Sequence, residues 1–374
     1  MKIIERDYSL ITKKKNLEPL FTFKNAPVYI GCTDEGPEKD LFMDMEWGIC
    51  PESGLIQLKK LIPLDLLYNT QHFDGTGPTW RQYYDDFSNY IVKQNPEHIL
   101  EIGGGLGILA DTFIKKTDKI DWAIIEPNPT LDKKDRISVH KGFFDKNFKF
   151  NKKYDTIVHS QVIEHMYNPG EFLNNISEYL SVGGKMVFGY PNLYLYLDKK
   201  YTNALNFEHT VFLTDYLVAW YLNQNNFEIV DKTIYKEHIF CTAVKVANCE
   251  KFVLQNKYSE YKELFNNFIK YYHMTIDRLN NYLDNYNGKV FIFGAHIFSQ
   301  YLFAFGLKMG KILAVLDNSK IKQNKRLYGT PLMVESPEVL RGLGQCVVIL
   351  KVASYRNEIV DQIAEINPSA IILE

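Results

Sequence analysis

Leu100-Glu101-Ile102-Gly103-Gly104-Gly105-Leu106-Gly107 is the stretch on which the reading of this chain turns. It ends the apolar run His98-Ile-Leu-Glu-Ile102, which reads as a buried strand. It opens a helical pattern from Leu106 to about Lys116. Glycines between strand and helix let the backbone turn tightly and approach a ligand closely. In a doubly wound sheet, ligands bind at the carboxyl ends of the strands. A dinucleotide loop has the spacing G-x-G-x-x-G; here the sixth position from Gly103 is Ile108, and the spacing is G-x-G-x-G through Gly105 and Gly107. Glu101 precedes the first glycine by two residues. A carboxylate there repels a pyrophosphate and suits a ligand carrying an amine and a sulfonium, as S-adenosylmethionine does. A second acid, in Ile125-Glu126-Pro127, closes the next strand 23 residues beyond Gly103. A carboxylate at that place accepts both ribose hydroxyls of a nucleoside. The alternative is a glycine turn with two solvated acids; the agreement of three features in order and spacing favours the nucleoside.

Working outward, the alternation of strand and helix continues. Trp122–Ile125, Thr156–Val158 and Lys185–Gly189 read as strands, and Tyr83–Gln94 and Pro169–Leu180 have helical spacing. Such alternation implies a parallel, doubly wound α/β sheet. On the N-terminal side, residues 1 to 85 are irregular, with Gly, Pro and Asp among short apolar runs. On the C-terminal side, 249–287 read as a helical connector with Phe252, Tyr258, Leu264, Phe268 and Tyr271 at helical intervals. The strand pattern then restarts at Val290–Phe293, Ile312–Leu316 and Cys346–Leu350, with a helix over Ser299–Gly306. The expected organisation is an N-terminal domain (1–85), a Rossmann-like ligand-binding domain (86–248), the connector, and a second small Rossmann-like α/β domain (288–374).

The 46% hydrophobic and 24% charged fractions of the 374 residues are those of a globular chain. The net charge of −2 argues against broad attraction to nucleic acid or to an anionic membrane. No stretch approaches the roughly 18 apolar residues of a membrane span. Met1–Lys15 has no apolar run of the kind a signal peptide carries. Cys32, Cys50, Cys241, Cys249 and Cys346 form an odd, scattered set, which fits reduced thiols and a cytoplasmic location.

Glu101–Gly107 resembles the first motif of class I S-adenosylmethionine-dependent methyltransferases. Lys141-Gly142-Phe143-Phe144-Asp145 is similar to their loop after the third strand, which packs on adenine. Tyr154–His165 resembles their fourth-strand segment. The resemblance implies that Glu101, Gly103, Gly105, Gly107, Glu126, Pro127, Phe143 and Phe144 bind the cofactor, with His159 and Gln161 on its methionine side. Glu164 and His165 are expected mainly to cap and pack the following helix.

Three further matches resemble the bacterial deoxysugar C-methyltransferases. Cys50-Pro-Glu-Ser53-Gly-Leu-Ile-Gln-Leu58 is similar to the C-x-x-C-G-L-V-Q-L element of their N-terminal zinc domain. Asn206-Phe-Glu208-His209-Thr-Val-Phe212 resembles the F-E-H segment whose Glu and His carry the chemistry. Asp317-Asn-Ser-Lys320, followed by Tyr328-Gly-Thr-Pro-Leu332, resembles their C-terminal domain. One departure is clear. Ser53 stands where the second cysteine of a pair would be, and Cys32 has no cysteine two or three residues away, whereas a structural zinc site needs four ligands. No metal site is therefore expected.

The resemblance implies methyl transfer to a nucleotide-activated or glycan-type sugar, a small-molecule substrate. His209 is the candidate general base, because an imidazole titrates near neutrality, and Glu208 is its neighbour. Tyr190, Tyr194, Tyr196 and His72 are candidates for the acceptor cleft. The alternatives are an O- or N-methyltransferase of another small metabolite, and a non-catalytic binding subunit that keeps the fold.

Overall fold

Ile99–Ile102 is buried at every position, and Trp122–Glu126 and Thr156–Ser160 are buried in all but their last residue. Strands flanked by helices on both faces carry such runs. The computed structural model describes residues 3–68, 77–117, 120–129, 136–148, 152–352 and 355–374. It sets these strands in the middle of a seven-stranded sheet, ordered Phe227–Tyr235, His238–Lys245, Lys185–Pro191, Thr156–Ser160, Ile99–Ile102, Trp122–Glu126, Ile137–Lys141. The five strands from Lys185–Pro191 to Ile137–Lys141 run parallel. His238–Lys245 pairs antiparallel with both of its neighbours. This is a Rossmann-like sheet closed at one edge by a hairpin.

Alternate residues of a strand face opposite sides of the sheet. Ile99, Trp122, Ile124 and Val158 pack with Tyr83, Phe87, Leu109 and Phe113, from helices Pro78–Lys93 and Ile108–Ile114. Leu100, Ile125 and Ile157 pack on the other side with Phe172, Leu173 and Ile176 of helix Pro169–Tyr179. The first of these helices begins earlier than expected, with proline at its start, where a fixed φ is already helical.

The hairpin at the sheet edge went unread. Phe227–Tyr235 is exposed along most of its length and carries charges on an edge strand, so it lacks an apolar alternation. Residues 1–85, expected to be irregular, contain a three-stranded antiparallel sheet of Glu18–Pro27, Phe42–Ile49 and Ile56–Leu58. Two register shifts in its first pair break the simple period that reading relies on. The third of these strands reaches the central unit: the Leu58 amide donates to the Thr210 carbonyl, and the Phe212 amide to the Ile56 carbonyl, both at 2.9 Å.

Helix Tyr258–Asp284 is the spine of the molecule. Its Phe265 meets Trp47 of the N-terminal sheet, its Tyr261 meets Phe212, and its Tyr272 stacks on Phe305. The C-terminal sheet is parallel, ordered Val334–Glu335, Ala314–Leu316, Val290–Phe293, Cys346–Leu350, Ala370–Leu373. It is tied to the N-terminal section by pairing of Cys32–Thr33 with Arg326–Leu327, and by a buried two-pronged ion pair, Arg326 to Asp40, with both contacts at 2.7 Å. One hydrophobic core therefore runs from Leu10 to Ile349.

Candidate active site

Glu101, Gly103, Gly105, Glu126, Pro127, Phe143, Phe144 and Gln161 line one cavity of about 770 Å³, together with Glu208 and His209. The cavity lies outside the carboxyl ends of Ile99–Ile102, Trp122–Glu126 and Thr156–Ser160, the place where a doubly wound sheet binds ligands. Two of the expected cofactor-binding residues lie off this lining. Gly107 caps helix Ile108–Ile114 in the left-handed region, shaping the turn from behind. His159, expected beside the methionine end, is a correction. It is the fourth residue of a strand buried on both faces, so its ring points into the core, stacked on Phe188 and edge-on to Phe172. Burial pushes that imidazole down to about 3.

The glycine loop makes room for its neighbours. Gly103 has φ 72°, and a side chain there would meet Val162 at 2.7 Å; one at Gly104 would meet Ile124 at 2.6 Å. The loop also holds the acid of the next strand. Glu126 accepts from the Gly105 amide through one oxygen and from the Asn128 amide through the other, each at 3.1 Å. Glu101 is 2% exposed, and its carboxylate accepts from the Trp122 indole at 2.7 Å. Burial nonetheless lifts Glu101 to about 8. A cationic ligand in the cavity would reverse that shift, because an opposite charge favours the ionised form.

Gln161 sits at φ 55°, a backbone region that costs a non-glycine residue on the order of 1 kcal/mol or more. Its amide donates to the Gly189 carbonyl at 2.8 Å and its side chain to the Tyr83 hydroxyl at 2.9 Å, which hold it there. The Phe143 ring is half exposed on the cavity wall. Phe144 is anchored edge-on to Tyr179 at 5.9 Å.

At the other end, Asn206 builds the catalytic candidates. Its side-chain oxygen accepts from the amides of both Glu208 and His209, at 2.8 and 2.7 Å, a local turn that fixes their direction. Arg6 reinforces it from far away in sequence. Its buried guanidinium donates to the carbonyls of Leu58, Tyr167 and Thr210. Burial pushes His209 down to about 4, against hydrogen bonding to the backbone of Asn203 and Ala204, so its imidazole is neutral at physiological pH. Burial raises Glu208 to about 7. His165 Nδ1 lies 3.6 Å from Glu208, and burial, with His209 second, holds His165 well below its usual range. Their contact is therefore not a charged pair.

Several lining residues escaped the sequence reading. Glu164 and His165, expected to cap and pack a helix, face the cavity. Tyr68, Trp80, Tyr84, Asn168 and Asn203 also line it, as do His296 and Ile297 of the C-terminal section. The Asn and Tyr residues carry no motif, and their approach is a product of folding alone. Tyr196 lines the cavity as expected, whereas Tyr190 is buried against Asp215 and Tyr194 lies outside the lining. His72 falls outside the described residues. Cys50 is buried beside Thr12, and Cys32 Sγ lies 3.6 Å from the Ala295 carbonyl.

With this geometry in place, comparison with known proteins is informative about the central unit. Residues 77–232 match the family model described as a methyltransferase domain. Over that stretch the chain is similar to methyltransferase domains. No curated protein matches the chain. Among solved structures, it is similar to an O-methyltransferase family protein from Burkholderia thailandensis (10% identity, 46% of this chain and 57% of that one, TM-score 0.37). It is also similar to an S-adenosylmethionine-dependent methyltransferase from Clostridium acetobutylicum (13% identity, 45% and 92%, TM-score 0.35) and to the N-methyltransferase NodS from Bradyrhizobium japonicum (14%, 46% and 98%, TM-score 0.34). The match spans little more than half of the Burkholderia protein. Among the described residues, no helix is long and apolar enough to cross a membrane.

Proposed function

We propose that the whole chain transfers the methyl group of S-adenosylmethionine to a nucleotide-activated or glycan-type sugar, with His209 as general base and Glu208 beside it. In this reading residues 86–248 bind the cofactor, and 288–374 complete the acceptor end through His296 and Ile297. Residues 1–85 hold the Glu208–His209 segment in place through Arg6 and the strand Ile56–Leu58, and 249–287 connect. The observation that carries it is the continuity of one cavity from the Glu101–Glu126 end to Glu208 and His209.

The acceptor end of that cavity carries amides (Asn168, Asn203, Asn206), carboxyls and the rings of Tyr68, Trp80 and Tyr196. Amides and acids meet hydroxyl groups, and aromatic faces meet the apolar face of a sugar ring, which supports a polyhydroxylated acceptor. Neutral His209 takes the acceptor's proton as the acceptor atom attacks the sulfonium methyl. The carbon–sulfur bond breaks, and S-adenosylhomocysteine leaves with the bonding pair. Gathering base, acceptor and donor in one cleft is the entropic part of the rate. Incubation with methyl-labelled S-adenosylmethionine and a panel of nucleotide sugars and free glycans tests the reading; label transferred to a sugar is expected. Label transfer only to non-sugar metabolites would overturn the substrate class.

A further inference from the structure

Glu164, His165 and His209 each offer a ligand atom to one point, all of these atoms lying within 4.8 Å of one another. We propose that this cluster binds one divalent transition-metal ion at the acceptor end of the cavity.

Three observations carry the inference. First, the donors are orphaned. Among the described residues, His165 Nδ1, His209 Nδ1 and Glu164 Oε2 are buried without a hydrogen-bond partner, and Glu164 is 2% exposed. A buried polar atom left without a partner is costly, and one cation satisfies all three. Second, the donors are set by two short local turns. Glu164 and His165 belong to the single-turn helix Ile163–His165, and the His209 amide donates to the Asn206 side-chain oxygen at 2.7 Å. Third, no side-chain cation competes for the site: Glu101, Glu126, Asp145, Glu164, Glu171 and Glu208 line the cavity, and no Lys or Arg does among the described residues.

Two imidazoles and one carboxylate suit Zn²⁺, Mn²⁺ or Fe²⁺ better than Mg²⁺ or Ca²⁺, which prefer all-oxygen shells. Bonds of about 2.0–2.2 Å at tetrahedral angles place donors roughly 3.4 Å apart, so the side-chain tips, which lie within 4.8 Å of one another, close by up to about 1.4 Å on the ion. The remaining positions of the ion face the cavity, where they meet an acceptor oxygen or phosphate that the chain's own side chains leave without a cation.

The inference goes beyond the proposed function: an ion on His209 Nδ1 fixes the other ring nitrogen as N–H, so His209 serves as general base only in the metal-free protein, and the test is made without turnover. Untagged, chelator-treated protein is titrated with Mn²⁺, read by electron paramagnetic resonance, and with Zn²⁺, read by calorimetry, without cofactor or acceptor. One ion per chain is expected. Glu164→Gln and His165→Gln should each weaken binding on the order of a hundredfold, while S-adenosylhomocysteine affinity, read in the same variants, reports that they are folded. Glu164→Gln leaves the proposed base intact, so loss of metal is distinguishable from loss of His209. Absence of binding by both metals, the outcome if water alone fills the cluster, would overturn the proposal. So would binding of equal strength in both variants.

Discussion

Removing the Glu126 carboxylate should weaken the cofactor without harming the fold, and the hydrogen bonds around it give the size of the effect. Each Glu126 oxygen already accepts one backbone amide, from Gly105 and from Asn128, at 3.1 Å. Its remaining lone pairs face the cavity, where the ribose hydroxyls of S-adenosylmethionine are expected. A hydrogen bond to a charged group contributes roughly 1.5–3 kcal/mol. Glu126 is partly solvated, so this range serves for the pair of ribose contacts together. At about 1.4 kcal/mol per tenfold, Glu126→Ala should weaken S-adenosylhomocysteine binding roughly 10–150-fold. Glu126→Gln should recover little of this, because one of its two positions becomes an NH2 group facing a backbone N–H. Calorimetry on both variants measures the loss directly. A cofactor analogue lacking the ribose 2′-hydroxyl should bind the native protein less well, yet bind Glu126→Ala no worse than the parent ligand does, which isolates the pairwise contact. Unchanged affinity in Glu126→Ala, or an equal analogue penalty in both proteins, would refute the placement.

His209→Ala should retain S-adenosylhomocysteine affinity and lose turnover by on the order of 10²–10⁴-fold; parallel loss of cofactor binding would make the residue structural instead. Glu101, lifted to about 8 by burial, holds its proton in the free protein at pH values where the unfolded carboxyl has lost it. The folded state then binds more protons, and the Glu101 contribution to stability falls as pH rises from about 4.5 to about 8, by up to ~1.4 kcal/mol per unit. Glu101→Gln should flatten the melting temperature across that window while losing cofactor affinity; an unchanged slope would refute it. Arg326→Met leaves Asp40 charged and buried, and should cost about 3–5 kcal/mol in denaturant unfolding, with Asp40→Leu added to it restoring much of the loss. A cost below about 1 kcal/mol would mean that the two terminal sections are not held together through this pair.

The cofactor end of the cavity was legible in the chain because it is local. Gly103, Gly104 and Gly105 follow a buried strand directly, and Glu126 closes the next, so a short stretch of sequence carries both the turn and its acids. Strand periodicity likewise placed Ile99–Ile102, Trp122–Glu126 and Cys346–Leu350, since runs buried on both faces stay apolar. His159 misled for the same reason that it is buried: a polar residue late in such a strand looks like a site residue until the alternation of faces is known. The N-terminal sheet stayed unread, since its register shifts blur the period and its third strand is only three residues long.

At the acceptor end the sequence named Glu208, His209 and Tyr196, but tertiary structure decided what gathers around them. Glu164 and His165 come from the turn after Thr156–Ser160, His209 from the turn that Asn206 builds, and His296 from the C-terminal section; nothing in their spacing announces a meeting. Arg6 binds the carbonyls of Leu58, Tyr167 and Thr210, at separations of 52, 161 and 204 residues. Short-range chemistry is written in sequence because neighbouring residues share one backbone geometry. A cluster of side chains from distant segments exists only after the core between those segments has been packed.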